Sequence, residues 1–231
     1  MANYTKISFN VPDVNQSFKS GNYKYSAPET IVANKKIIQD IKSNLGALIS
    51  KWGSEFEIDN EILISFIATE SGNTNAPPNQ FEATGYMQVT PTTVYETITK
   101  WDSTVGSPLP ANLKSILAKN IPSYKNWNAS VLPSTAVKSQ IKSALKNPEF
   151  NIAMGSAVIR WLLEAYSKDS NSPLNKAMAS YNIGYYGAKS KLKGNLTSTQ
   201  IINIKGLGAE AKGYLVKMLG RNGFLELQLN K

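Results

Sequence analysis

The 231-residue chain contains no cysteine and no histidine. Disulfides, thiolate nucleophiles, the usual zinc sites and any Ser-His-Asp triad are therefore excluded, and no cofactor or metal is expected. Acid/base chemistry falls to Glu, Asp, Lys or Tyr. Apolar runs are short as well. None reaches the roughly eighteen residues that would mark a membrane-spanning helix. Arginine is confined to Arg160 and Arg221, although the net charge is +9. Such a charge favours a polyanionic partner. Nucleic-acid readers rely on bidentate arginine, so nucleic acid is not expected. The excess lysine then reads either as attraction to an anionic wall polymer or as a surface that keeps the protein soluble. The stretch from Met1 to Lys6 lacks the charged-then-apolar pattern of a secretory signal. The expectation is a chain that starts after a removed signal or leaves its cell by another route.

What is present is helical periodicity. Residues 1–27 are polar, rich in Asn, Ser and Tyr, and read as an extended N-terminal arm. From Pro28, apolar residues from Ile31 to Ile49 recur at three and four positions, predicting a helical extension over 28–54 that stops near Trp52-Gly53. Asp59 is placed to cap a second helix, which Gly72 ends. Thr90-Pro91 opens a third, and Asn147-Pro148-Glu149 is a strong helix start. Further helices are predicted over about 174–182 and 208–219. Residues 102–146 mix Pro, Gly, Ser and Lys and read as an insertion of loops and small helices. Strand signals are weak throughout, so the fold class is mainly α.

One acid stands out within this pattern. Glu70 follows Leu63 by seven residues, Phe66 by four and Ile67 by three, which puts it on the apolar stripe of its own helix. It also falls at the helix C-terminus, where the macrodipole disfavours negative charge. Burial and dipole would both raise its pKa, as a proton donor near neutral pH requires. Periodicity alone leaves open a Glu that swings out to water at a helix end.

The residues around it carry a resemblance. Glu70-Ser71-Gly72 followed by Gly85-Tyr86-Met87-Gln88 resembles the Glu-Ser and Gly-Leu-Met-Gln signatures of the soluble lytic transglycosylase family, with Tyr86 in place of the usual Leu. Asn147-Pro148-Glu149-Phe150-Asn151-Ile152 is similar to the family's helix start after its variable segment. Ala179-Ser180-Tyr181-Asn182-Ile183-Gly184 resembles its Ala-Tyr-Asn-Ala-Gly motif, and Glu210-Ala211-Lys212-Gly213-Tyr214-Leu215 is a weaker match to its terminal block. The four blocks run in order over residues 55–219. The resemblance implies a lysozyme-like helical domain, shared with goose-type lysozymes, over residues 28–231.

It also implies an activity. Glu70 would protonate the glycosidic oxygen between N-acetylmuramic acid and N-acetylglucosamine in bacterial peptidoglycan. It would then accept the proton of the muramoyl C6 hydroxyl as that closes onto C1. Tyr181 would orient Glu70. Met87 and Gln88 would line the sugar groove, with Ser71, Asn79 and Asn182 nearby and Glu210 meeting the stem peptide. Each position also has a structural alternative: Met87 as core filler, Ser71 as a local helix-end bond, Asn182 in a turn. The sequence departs from the family at Glu82, where a glycine is usual. If that carboxylate reached the groove it could activate water and make the enzyme a hydrolase (a muramidase). Tyr185 and Tyr186 stand where Pro-Gly is common. Lys176, Lys189, Lys191, Lys193, Lys205, Lys212, Lys217 and Arg221 make a basic C-terminal region. A wall-binding module without catalysis is the reading from another class. The expectation is a monomer acting in the periplasm or on the cell wall, either phage-encoded (a lysin or virion-associated enzyme) or secreted.

Overall fold

A computed structural model describes residues 28–167, 173–220 and 222–229; the arm predicted over 1–27 lies outside them. Within the described residues the fold is mainly α. The helices are α1 (Pro28–Phe56), α2 (Asn60–Ser71), α3 (Pro91–Thr99), α4 (Trp101–Val105), α5 (Ala111–Asn120), α6 (Thr135–Ala144), α7 (Pro148–Ala165), α8 (Pro173–Ile183), α9 (Tyr185–Lys189), α10 (Ser198–Ile202), α11 (Ala209–Leu219) and α12 (Glu226–Leu229), with a 3-10 turn at Pro122–Asn126. A single isolated bridge, Thr84 to Val89, is the β pairing seen there. No described helix is long and apolar enough to cross a membrane.

The core is organised around α7. Fourteen consecutive residues, Phe150 to Leu163, are buried, so this helix is enclosed on every side. Such a helix needs apolar residues all round, and the sequence from Phe150 supplies them except at Asn151, Ser156 and Arg160. Its start behaves as the sequence predicts: the Asn147 side chain accepts from the Phe150 amide at 3.0 Å. Buried Arg160 donates to the Phe56 carbonyl at 3.0 Å and pairs with Glu57 and Glu164. It therefore ties α7 to the end of α1.

One boundary differs from the sequence expectation. α1 runs past Gly53 to Phe56, because that glycine serves space rather than termination: a Cβ there would stand 2.8 Å from the Ile58 carbonyl and from Asn60. The segment 102–146 consists of loops and small helices, and it contributes to the core. Leu113, Leu117, Ile141 and Leu145 are fully enclosed, and α4, α5 and α6 pack on α3 and α7. The basic C-terminal region also needs correction at Lys176, which is fully buried. Its ammonium donates to the Gly194 carbonyl and lies 5.6 Å from the centre of the Tyr166 ring.

Candidate active site

α2 delivers Glu70. Its N-cap is Asp59 and its last turn is closed by Gly72, left-handed at φ 58°, whose amide donates to the Ala68 carbonyl at 3.2 Å. Glu70 stands two residues before that stop, beyond the fully buried Leu63, Phe66 and Ile67. It faces a cleft of about 650 Å³. The loop before α3 contributes Asn79, Phe81 and Gln88 to the walls, α8 contributes Tyr181 and Asn182, and α11 contributes Glu210, Tyr214 and Lys217.

By surface area Glu70 is only half-buried, because one edge opens on the cleft. The protein packed around the rest of it removes most of its hydration. That desolvation pushes its pKa up to about 8. The Tyr214 hydroxyl opposes the shift, the Glu210 charge adds to it and the Lys217 charge opposes it. At neutral pH the carboxyl therefore holds its proton. The Tyr214 hydroxyl is buried and turned toward Glu70. Its position favours the ionised form of the acid.

Tyr181 is set differently from what the resemblance implies. Its hydroxyl donates to the Met87 carbonyl at 2.8 Å, and its ring packs on Phe66 with centroids 4.8 Å apart. Burial pushes its own pKa up, and the nearby Glu70 charge adds to that. Its proton, however, is committed to the loop.

That loop is built from within. The amide of Asn151, on α7, donates to the carbonyls of Thr84 at 2.7 Å and Leu145 at 3.2 Å, and its oxygen accepts from the Met87 amide at 2.9 Å. Gly85 has φ 79°, and a Cβ on it would lie 2.3 Å from the Asn151 amide nitrogen, so glycine is required twice over. Met87 is fully buried and fills the space over Gly155, where an added Cβ would stand 2.3 Å from the Met87 sulfur. Its side chain does not line the cleft as the sequence reading expected; its carbonyl is what the site uses. Gln88 does line the cleft. Its backbone is left-handed, φ 46°, and its side-chain amide donates to the Gly85 carbonyl at 2.9 Å.

The remaining sequence candidates divide. Asn79 lines the cleft, but its side-chain oxygen accepts from the Phe81 and Ala83 amides at 2.8 and 3.1 Å, so it holds the loop. Asn182 and Glu210 line the cleft. Ser71 does not; its hydroxyl donates to the Ile67 carbonyl at 3.2 Å and stays within the last turn of α2. Glu82 is also outside the cleft lining. Its carboxylate pairs with Lys142 of α6 at 3.3 Å, so the condition under which it could serve as a second carboxylate beside Glu70 is not met.

Tyr214, Lys217 and Phe81 are among the cleft residues to which the sequence gave no part in the site. Tyr214 and Lys217 follow Glu210 by four and seven residues, and α11 turns all three to the cleft. That spacing was available in the sequence. Phe81, 72% exposed in a polar loop, gave no periodic signal at all.

No protein-family model matches the chain, and no curated protein sequence matches it. The fold and site by themselves define a mainly helical protein with one protonated carboxyl facing a polar cleft.

Proposed function

We propose that the protein is a peptidoglycan lytic transglycosylase, cleaving the β-1,4 bond between N-acetylmuramic acid and N-acetylglucosamine with Glu70 as general acid and then base. The observation that carries the reading is the state of Glu70: a carboxyl pushed up to about 8 that opens on a cleft of about 650 Å³. A general acid must hold a proton until the leaving oxygen needs it, and a pKa near the working pH serves both donation and recovery.

The cleft chemistry fits a one-acid course. Glu70 protonates the glycosidic oxygen as the C1–O bond breaks. The resulting carboxylate takes the proton from the C6 hydroxyl of the same muramoyl unit, whose oxygen bonds to C1 and closes the 1,6-anhydro ring. No water enters, and Glu70 ends protonated as it began. The Tyr214 hydroxyl would support the intermediate carboxylate, since it already favours the charged form. Lys217 acts in the same direction through its charge.

A hydrolytic course is the second reading, and the cleft changes which residue it would need. Glu82 is paired with Lys142 outside the cleft, whereas Glu210 lines it. A hydrolase would have to activate water through Glu210. Digestion of purified cell wall separates the two by product mass. Anhydro-ended muropeptides are expected; reducing ends heavier by one water would replace the transglycosylase with a hydrolase. Wall binding with no release by the wild-type protein would refute both and leave a binding module.

A further inference from the structure

A second, smaller cavity of about 180 Å³ adjoins the Glu70 cleft and shares Gln88, Thr90 and Tyr181 with it. α3 forms one wall through Thr93, Glu96 and Thr97. α9 forms the opposite wall through Tyr185 and Tyr186, and Trp161 of α7 lies at the floor. Thr90, the cap at the start of α3, belongs to both cavities, while Lys100 caps the other end of that helix. At 1.5 Å per helical residue the two caps are about 15 Å apart. Following α3 therefore leads away from Glu70.

At that far end the two walls are joined. The Lys100 ammonium contacts the Tyr186 hydroxyl, lies 4.7 Å from the centre of the Tyr186 ring, and stands 3.8 Å from the Glu96 carboxylate. The Lys100 carbonyl accepts from the Trp161 indole at 3.4 Å, which ties the junction to the floor. Tyr186 is itself braced by Tyr185, whose ring stands edge-on to Trp161 at 4.8 Å and to Tyr186 at 5.2 Å. Wall, wall and floor thus meet around one cation.

We infer that Lys100 and Tyr186 form a strap that closes the aromatic end of the groove and so limits how many sugars of a glycan strand can lie beyond the bond facing Glu70. The inference rests on the proposed glycan substrate. The occupant follows from continuity with the Glu70 cleft and from the ring-lined wall, since aromatic faces stack on the apolar faces of sugars. A strand bound here must present an end to the strap instead of passing through, so cuts fall at a fixed distance from a chain end.

The test uses binding, with the acid removed so that nothing is consumed. Glu70→Gln protein is titrated calorimetrically with β-1,4-linked N-acetylglucosamine oligomers of increasing length. The titration is repeated with Tyr186→Ala and with Lys100→Met added. With the strap intact, affinity is expected to stop rising beyond a limiting length. In both opened variants affinity should keep rising past that length, by roughly tenfold between the limiting and the longest oligomer, whatever the loss of the Tyr186 face does to the short ones. An identical length dependence in all three proteins would overturn the strap while leaving the glycan reading standing. Failure of every oligomer to bind any of the three would overturn the glycan reading, and the strap with it. Unchanged melting temperatures check that the opened variants remain folded, as Tyr186 is 54% exposed and leaves little behind when truncated.

Discussion

The Tyr181 hydroxyl donates to the Met87 carbonyl at 2.8 Å, and this leaves Tyr214 as the phenol that turns its hydroxyl to Glu70. The two tyrosines therefore have separable duties. Tyr214→Phe should raise the pKa of Glu70, because the hydroxyl now opposes the shift, and should lower kcat about ten- to a hundredfold by removing support from the intermediate carboxylate. Tyr181→Phe should cost about 1 kcal/mol of stability through the lost bond to the loop. It should leave the pH profile in place. Parallel pH–rate and denaturation curves of the two variants check this; a displaced profile in Tyr181→Phe would contradict the assignment.

The pH profile has a predicted shape. A general acid works only while protonated, so kcat/KM should fall as pH rises through about 8. Glu210→Gln removes a charge that raises the Glu70 pKa and should move this limb to lower pH. Lys217→Met removes a charge that lowers it and should move the limb to higher pH. Opposite displacements are the diagnostic result. Displacement of both in one direction would mean that neither charge acts through Glu70.

Stability follows the same proton with a definite sign. The folded-state pKa of Glu70 lies above that of an unfolded carboxylate, so between about 4.5 and 8 the folded state binds more protons than the unfolded one. Stability attributable to this group must fall as pH rises across that window, by at most about 1.4 kcal/mol per pH unit. Glu70→Gln, which cannot ionise, should abolish turnover, melt higher than wild type at pH 8 and lose that advantage near pH 4. Thermal denaturation at the two pH values measures it, and a variant less stable than wild type at pH 8 would contradict the burial of the acid.

How much of this was legible in sequence can be judged residue by residue. Helix starts at Thr90 and Asn147 were readable because capping is local chemistry, and both side chains accept from the following turn. Asp59 marks the start of α2 by position, without a side-chain cap bond. Three apolar neighbours on one stripe put Glu70 on a helix face, but periodicity left open whether its side chain turns to water, which depends on what α8 and α11 pack around it. Gly53 misled, since glycine marks both chain termination and close packing, and only the arrival of Ile58 and Asn60 tells them apart. Met87 and Ser71 could not be assigned from their motif: whether a motif residue offers its side chain to the cleft or to the core depends on what α7 presents beneath it. Glu82 was undecidable for a similar reason. Its partner Lys142 lies sixty residues away, and no spacing rule reports that encounter.

The loop carrying Gln88 depends on one buried side chain. Asn151→Leu would leave the Thr84 and Leu145 carbonyls and the Met87 amide without their partner. Losing a buried group with three bonds should cost about 3 kcal/mol. Activity should fall further than stability, since the loop would no longer hold Gln88 in place. Chemical denaturation alongside turnover tests this, and a stable, active Asn151→Leu would show that the loop stands without it.

Phe81 has no such structural duty. Exposed at 72% beside the cleft, it is free to contact a bound strand. Phe81→Ala should raise KM about five- to tenfold, equivalent to about 1 kcal/mol of lost contact, with kcat and melting temperature unchanged. A fall in kcat alone would place Phe81 in the chemical step instead.

Gln88 keeps its cleft-facing amide at the expense of its own backbone, which sits at φ 46°, a region that glycine occupies freely and glutamine does not. Glycine at this position would relieve that strain but would give up the bond from the side-chain amide to the Gly85 carbonyl. The same side chain thus braces its own turn and faces the cleft, so any change at position 88 alters the loop and the groove together.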